Sequence, residues 1–144
     1  MSREAIAIAS DHAGFEVKES LKKLLVETGY DVADLGTDGP ESVDYPDFAT
    51  AMAEALADGR AARGVLICGT GIGISIAANR YRHVRAARCC DATDARLARE
   101  HNDANVLVLG SRTSGAETAI DCVRMFLETG FEGGRHQRRV DKMS

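Results

Sequence analysis

Residues 65–73 read VLICGTGIG and place four consecutive apolar residues directly before three closely spaced glycines. A short apolar run that ends at glycine is typical of a buried strand, and the glycines mark a turn into a helix. The same alternation extends outward in both directions along the chain. Apolar runs predict strands at residues 5–9, 31–35, 65–68, 85–89 and 105–109. Amphipathic stretches predict helices at about residues 14–28, 46–58, 73–80, 92–101 and 115–128.

Strands that alternate with helices favour a mostly parallel sheet covered on both faces. The predicted fold is therefore an α/β three-layer sandwich with a five-stranded, mostly parallel, Rossmann-like sheet. A chain of 144 residues has room for one domain, 1–144, and we expect its basic end at about 132–144 to form an arm. Ligands of such sheets bind at the carboxyl ends of the strands, which directs attention to the residues that follow each strand.

Composition limits the classes of protein to which the chain can belong. Hydrophobic residues at 44% and charged residues at 28% are typical of a globular protein. No apolar run approaches the roughly 18 residues of a membrane span, and the amino terminus does not resemble a signal peptide. We therefore expect a soluble, cytoplasmic protein with no membrane association. The four cysteines lack a C-x-x-C spacing, which favours reduced thiols over disulfides or a metal site.

Charge is divided unevenly along the chain. Residues 1–58 carry 4 basic and 13 acidic side chains, whereas residues 59–144 carry 14 basic and 9 acidic ones. Arginine supplies 13 of those 14 basic side chains, and its planar guanidinium suits phosphate or carboxylate. Solvated helix faces and salt bridges between subunits would explain the same composition. A pI of about 5.5 and an aromatic content of 5% disfavour a nucleic-acid-binding protein.

The loop after the third predicted strand is a candidate anion site. Glycines at 69, 71 and 73 would leave backbone amides bare at the start of a helix, where they bind phosphate, carboxylate or a developing oxyanion. Close packing of helix on strand would also explain these glycines. Cys68 directly precedes the loop, and the field of the helix should favour its thiolate. Ile74 stands where a tyrosine-phosphatase-like loop needs arginine, so proton abstraction is the chemistry that we expect of Cys68.

Other polar residues fall at predicted element ends. Asp11 and His12 follow the first strand, and His12 is explained equally well by packing. His101 precedes Asn102 at a predicted helix end, where a capping role would explain it as well.

The basic tail carries Arg135 and Arg139 four residues apart. If the tail is helical, these two side chains share one face and can form a phosphate clamp. A solvated run of charge is the alternative interpretation.

Together these motifs make the sequence similar to the family of type B ribose-5-phosphate isomerases, within a wider group that includes allose- and galactose-6-phosphate isomerases. The resemblance spans nearly the whole chain. Its motifs are SDHAG at 10–14, CGTGIG at 68–73, SIAAN at 75–79, HND at 101–103, NVL at 105–107, GSR at 110–112 and EGGRH at 132–136.

The resemblance implies an aldose-ketose isomerase in which Cys68 moves a proton between C1 and C2 of an open-chain sugar phosphate, through a cis-enediolate. Some family members use a glutamate on the next helix as the base, but Ser75 stands on that helix here. The chain is therefore similar to the members with a cysteine base. The implied oxyanion hole consists of the amides of Gly69, Thr70, Gly71, Ile72 and Gly73.

The resemblance also assigns the remaining site residues. His101 would open the sugar ring with Thr70 nearby, while Asp11 and Asn102 would bind sugar hydroxyls. The phosphate would be held by His12, Arg112, Arg135 and Arg139.

No cofactor and no metal are implied. The implied assembly is a homodimer or a dimer of dimers whose active sites are shared between subunits. Two other functions fit the same residues: isomerisation of another sugar phosphate, with four or six carbons, and non-catalytic phosphate sensing on the same scaffold. A sensor would use the amides and arginines but would have no use for a thiolate.

Overall fold

The computed structural model describes residues 3–144. The strands are β1 (Ala5–Ser10), β2 (Asp31–Asp34), β3 (Arg63–Cys68), β4 (Ala86–Arg88) and β5 (Val106–Gly110). The helices are α1 (Phe15–Glu27), α2 (Tyr45–Ala57), α3 (Ile72–Ala78), α4 (Ala92–Asn102), α5 (Ala116–Glu128) and α6 (Arg135–Met143). None of the helices formed by the described residues combines the length and apolar character needed to cross a bilayer.

The strands form one sheet in the order β2-β1-β3-β5-β4, and each neighbouring pair is parallel. This arrangement confirms the predicted α/β sandwich with a parallel sheet. Because the strands are parallel, their carboxyl ends lie along one edge, which we call the upper edge and which contains Cys68 and Gly110. Their amino ends, including Arg63 and Val106, lie along the lower edge.

Helices cover both faces of the sheet, which explains why the strands read as nearly continuous apolar runs. Helices α1, α4 and α5 bury one apolar cluster against the sheet, and α2 and α3 bury a second cluster on the other face. Side chains of β3 alternate between them: Ile67 belongs to the first cluster and Cys68 to the second. Strand periodicity therefore turns Cys68 toward α3.

The chain turns sharply between β1 and α1. Residues His12–Gly14 form a 3-10 turn, so the helix predicted to begin at residue 14 begins at Phe15. A Cβ atom on Gly14 would lie 2.7 Å from the Ile67 side chain and 2.8 Å from its carbonyl oxygen. Only glycine allows this close approach, which brings the start of α1 against the end of β3.

A buried charge fixes the end of β2. Lys18 is 1% exposed, and its ammonium donates to both carboxylate oxygens of Asp34 at 2.9 Å. Lys22 donates to the same carboxylate at 2.7 Å. Burial alone would raise the pKa of Asp34, but the hydrogen bonds from Lys22 and Lys18 lower it below its usual value.

The basic tail is helical, as its phosphate-clamp interpretation requires. Helix α6 packs against α4 and buries His136 and Val140. Arg135 and Arg139 are both exposed and lie one turn apart.

Candidate active site

The loop after β3 wraps around the sulfur of Cys68. The backbone N–H of Gly71 donates to Cys68 Sγ at 3.1 Å. Gly71 is the N-cap residue of α3 and has a φ of 77°, in the left-handed region that favours glycine. A Cβ there would also lie 3.1 Å from the carbonyl carbon of Leu109. The local geometry thus requires glycine at 71, and it directs that amide inward.

Two of the five loop amides are engaged within the loop. Besides the Gly71 amide, the N–H of Ile72 donates to Thr70 Oγ1 at 3.1 Å. The amide of Gly71, predicted to stand bare, therefore bonds to the sulfur instead. The amide of Ile72, which the resemblance places in the oxyanion hole, bonds to a hydroxyl, because the loop curls back on its own side chains. The amides of Gly69, Thr70 and Gly73 are left as candidates to hold an anion.

Cys68 is only 4% exposed, and an arginine side chain covers the next residue of the loop. Guanidinium atoms of Arg112 lie 3.5 Å from the position of a Cβ on Gly69, so this side chain covers the glycine next to the sulfur. The backbone fixes this arrangement, since the N–H groups of Ser111 and Arg112 donate to the carbonyls of Cys68 and Gly69, both at 2.8 Å.

Arg88, at the end of the edge strand β4, provides a second clamp on the loop. Its Nε donates to the carbonyl of Thr70 at 2.7 Å. This residue could not be found from the sequence, because nothing in the pattern of β4 indicates which loop its side chain reaches.

Asp11 and His12 lie at the same edge, directly after β1. Asp11 is 6% exposed, and its Oδ1 accepts the N–H of Gly14 at 3.1 Å, so it caps the 3-10 turn in addition to its predicted role toward sugar hydroxyls. His12 Nδ1 accepts the N–H of Val43 at 3.1 Å. A neutral His12 therefore carries its proton on Nε2 and can donate from that atom.

His12 shares an open cleft of about 410 Å³ with Arg112. Glu16, Pro40 and Ser111 also line the cleft. Two of the four predicted phosphate ligands thus meet at the upper edge, close to the loop of Cys68.

Tyr45 is a further residue at this edge that the sequence analysis missed. A Cβ on Gly73 would lie 2.6 Å from the Tyr45 ring, so the ring lies directly against the start of α3. Tyr45 also lines a cleft of about 500 Å³ with Asp11 and His12. Its position before the proline that opens α2 gives no sign of this contact.

The other predicted site residues lie at the lower edge. Helix α4 leaves the end of β4 and runs back to the start of β5, so His101 and Asn102 finish at the amino ends of the strands. With 11 residues, α4 is about 16 Å long, which separates these residues from Cys68. Arg135 and Arg139 belong to α6, which packs on α4.

A single chain therefore does not bring all predicted site residues together. One group is at the upper edge and comprises Asp11, His12, Cys68, the loop 69–73 and Arg112. The other group is at the lower edge and comprises His101, Asn102, Arg135 and Arg139.

Comparison with known proteins agrees with the resemblance noted in the sequence. A family model described as Ribose/Galactose Isomerase matches residues 6–143. The chain belongs to the ribose/galactose isomerase family. It is a sugar phosphate isomerase.

Relatives and solved structures extend over almost the whole chain. The chain is 48% identical over 139 residues to the ribose-5-phosphate isomerase B of Escherichia coli, covering 96% of this chain and 93% of that one. A solved ribose 5-phosphate isomerase from Thermotoga maritima is 54% identical with a TM-score of 0.96, covering 99% and 98% of the two chains. A D-erythrulose-4-phosphate isomerase of Pectobacterium atrosepticum is 40% identical over 140 residues, covering 96% and 92%.

The remaining cysteines of this isomerase are poor candidates for chemistry. Cys89 and Cys122 are buried. Burial, with a smaller contribution from neighbouring negative charge, raises the pKa of Cys89 to about 12 and that of Cys122 to about 11. Both thiols therefore stay protonated near neutral pH. Cys90 is exposed, but it lies outside the loop that holds Cys68.

Proposed function

We propose that this isomerase interconverts ribose 5-phosphate and ribulose 5-phosphate, with Cys68 as the base. The observation that carries the proposal is the position of Cys68 Sγ, which lies at the upper edge beneath a helix-initiating loop with an arginine beside it. A sensor of phosphate would need the loop and the arginine but not the sulfur.

The reaction moves one hydrogen from C2 to C1 of the open-chain aldose and one from O2 to O1. The Cys68 thiolate takes the proton from C2, and negative charge develops on the enediolate oxygen at C1. The loop amides that are not engaged by side chains stabilise that charge. The thiol then returns its proton to C1, and the proton of O2 passes to O1, so that C2 becomes the ketone carbon and C1 carries the hydroxyl.

The cleft of His12 and Arg112 binds the phosphate at the far end of the sugar. Arg112 carries a fixed positive charge, and His12 donates from Nε2, so both suit phosphate oxygens. Binding energy from this end orients C1 and C2 against Cys68 without taking part in the proton transfer.

A second copy of the chain completes each site with His101, Asn102, Arg135 and Arg139. Two observations support a homodimer, with a dimer of dimers as the larger form. A sugar phosphate bound at Cys68 is out of reach of His101 in the same chain, because α4 separates them by about 16 Å. In addition, Ile72 and Ile76 are about half exposed, at 49% and 51%, and form an apolar patch on α3 next to the loop.

The proposed setting is the cytoplasm, where phosphorylated sugars occur and where thiols stay reduced. The four cysteines are free in this structure.

Replacing Cys68 by Ser tests the mechanism. We expect the substitution to preserve the fold and substrate binding and to lower kcat by about 10² to 10⁴, the usual contribution of a general base. The assay follows ketose formation from ribose 5-phosphate, and binding is measured separately by calorimetry. Cys90→Ser, which alters an exposed thiol outside the loop, should leave kcat near the wild-type value. Near-normal turnover of Cys68→Ser would remove Cys68 from the mechanism.

A second candidate substrate is a four-carbon sugar phosphate, because a relative named D-erythrulose-4-phosphate isomerase is 40% identical to this chain. One coupled assay should compare ribose, erythrose, allose and galactose phosphates under the same conditions. The highest kcat/KM with ribose 5-phosphate would support the proposal. A higher value with another sugar phosphate would make that sugar the substrate and would leave the proposed mechanism unchanged.

A further inference from the structure

Three side chains converge at the lower edge in a way that the isomerase reaction does not require. His101 lies in the last turn of α4, His136 in the first turn of α6, and Glu132 in the segment before α6. Glu132 Oε1 is 3.8 Å from His101 Nε2 and 3.7 Å from His136 Nε2. One ligand atom from each residue lies within 4.8 Å of the other two.

The backbone holds these three side chains together. The N–H of Glu132 donates to the carbonyl of Glu100 at 3.1 Å, which ties the segment to the end of α4. Gly133 and Gly134, with φ values of 68° and 55°, then reverse the chain so that α6 returns along α4. The rings of His101 and His136 stack with centroids 4.3 Å apart and planes 13° from parallel. Backbone contacts of the fold therefore hold these three side chains close together.

The donor atoms suit a borderline transition metal. Zinc binds imidazole nitrogen at about 2.0–2.1 Å and carboxylate oxygen at about 2.0–2.2 Å, so neighbouring ligand atoms of a tetrahedral site lie about 3.4 Å apart. The separations of 3.8 and 3.7 Å between Glu132 and the two histidines exceed this value slightly. Neither distance is short enough for a hydrogen bond. Coordination also requires the two stacked rings to rotate out of their parallel arrangement, so that the in-plane lone pairs of both Nε2 atoms point at one ion.

The exposure of the cluster also fits a metal. The Glu132 side chain is 54% exposed and that of His101 is 38% exposed, which lets a metal enter and leaves a coordination position open to water. The neighbouring Arg135 and Arg139 oppose a cation, which sets the expected affinity below that of a closed structural site.

We propose that His101 Nε2, Glu132 Oε1 and His136 Nε2 bind a divalent transition metal of the zinc, cobalt or nickel type, and that its binding inhibits the isomerase. Inhibition follows because the metal occupies one nitrogen of His101 and holds its ring in place, so that the ring no longer serves in ring opening. This second half rests on the proposed function, whereas the metal site itself does not.

Cobalt titration of the full-length protein tests the site. The protein should carry no affinity tag and should first be treated with a chelator. We expect Co²⁺ to produce the visible bands of a four- or five-coordinate ion at one equivalent per chain, and Zn²⁺ to remove them. Glu132→Gln and His136→Gln each remove a ligand, so each should weaken binding by at least about 100-fold, which is the upper end of the cost of losing a group that only supports a ligand.

His83→Gln provides the matched control, because His83 Nε2 lies 2.8 Å from the carbonyl of Ala53 and outside the cluster. This variant should bind Co²⁺ as the wild type does. Strong sulfur-to-cobalt charge-transfer bands in the near ultraviolet would assign the metal to a cysteine and overturn the site, as would the absence of binding. Either result would leave the proposed isomerase function standing.

Turnover in the presence of Zn²⁺ tests the inhibition. Saturating Zn²⁺ should lower activity at least about tenfold, and a chelator should restore it; Glu132→Gln should require about 100-fold more Zn²⁺ for the same effect. Cobalt binding at the cluster with undiminished turnover would overturn the inhibitory half and would also count against the role of His101 in ring opening.

Discussion

If each active site is shared between two copies of the chain, two inactive variants should restore each other when they assemble together. Cys68→Ser removes the base at the upper edge, and His101→Asn removes the ring-opening group at the lower edge. Each homodimer is then inactive at both of its sites. In a heterodimer, one site combines the intact Cys68 of one chain with the intact His101 of the other, while the second site carries both substitutions.

The size of the recovery follows from the symmetry of the dimer. Random assembly from equal amounts makes about half of the dimers mixed, and each mixed dimer has one working site of two, so about one quarter of wild-type activity should return. Coexpression with two different affinity tags and purification on both isolates the mixed dimers, for which about one half of wild-type activity is expected. Isomerisation of ribose 5-phosphate is the assay, and native mass spectrometry verifies the composition.

The control pairs Cys68→Ser with a chain that carries both substitutions, because no site in that mixed dimer is intact. It should show no recovery. The reasoning is refuted if verified mixed dimers of the two single variants are no more active than this control, since Cys68 and His101 would then not meet across an interface.

The other predictions concern the loop glycine and the buried charge. Gly71→Ala should lower the free energy of unfolding by about 1–2 kcal/mol and also reduce kcat, because it strains a positive φ and moves the amide that binds Cys68. Gly59→Ala is the control, because Gly59 has a φ of 76° and open space around it. It should lose similar stability in urea denaturation but keep its turnover. Equal kcat values for Gly71→Ala and Gly59→Ala would contradict the role of the Gly71 amide beside Cys68. Asp34→Asn should cost about 2–3 kcal/mol at pH 7, because it leaves the charge of Lys18 buried without its main partner. The pKa of Asp34 is lowered in the folded state, so the stabilisation from its carboxylate is present above the ordinary value of about 3.9 and disappears as the pH falls through the folded pKa. The denaturation curves of the wild type and of Asp34→Asn should therefore converge in acid. Curves that stay apart there would refute this account.

The order and type of the five strands and of helices α1–α5 followed from the sequence because they depend on local periodicity, whereas the sequence left open whether the basic tail is the helix α6. The apolar run before Cys68 was interpreted correctly as a buried strand and the glycines after it as a turn into a helix, since both leave direct marks on residue type. The amide of Gly71 was expected to be bare, and it is not. The inward hydrogen bonds of the loop were not predicted. They depend on where the sulfur and the hydroxyl of Thr70 lie once the turn has formed, which no spacing in the sequence encodes.

The division of the site into two groups was predictable in principle. His101 and Asn102 directly precede a strand, and a crossover helix that precedes a parallel strand must end at the lower edge. The contacts of Arg88 and Tyr45 were not predictable, because each joins segments that are distant in sequence.

The close approach of Gly14 to Ile67 limits which segments of the site can change when the enzyme is adapted to other substrates. Ile67 accepts the N–H of Asp11 at 3.2 Å and fills the space in front of Gly14, so the segments that carry Asp11 and Cys68 share one backbone anchor. Neither segment can be lengthened or redirected without displacing the other. An engineer who wishes to accommodate longer or shorter sugars should therefore vary residues 38–42, whose exposed Pro40 and Ser42 line the clefts without bonding to that anchor.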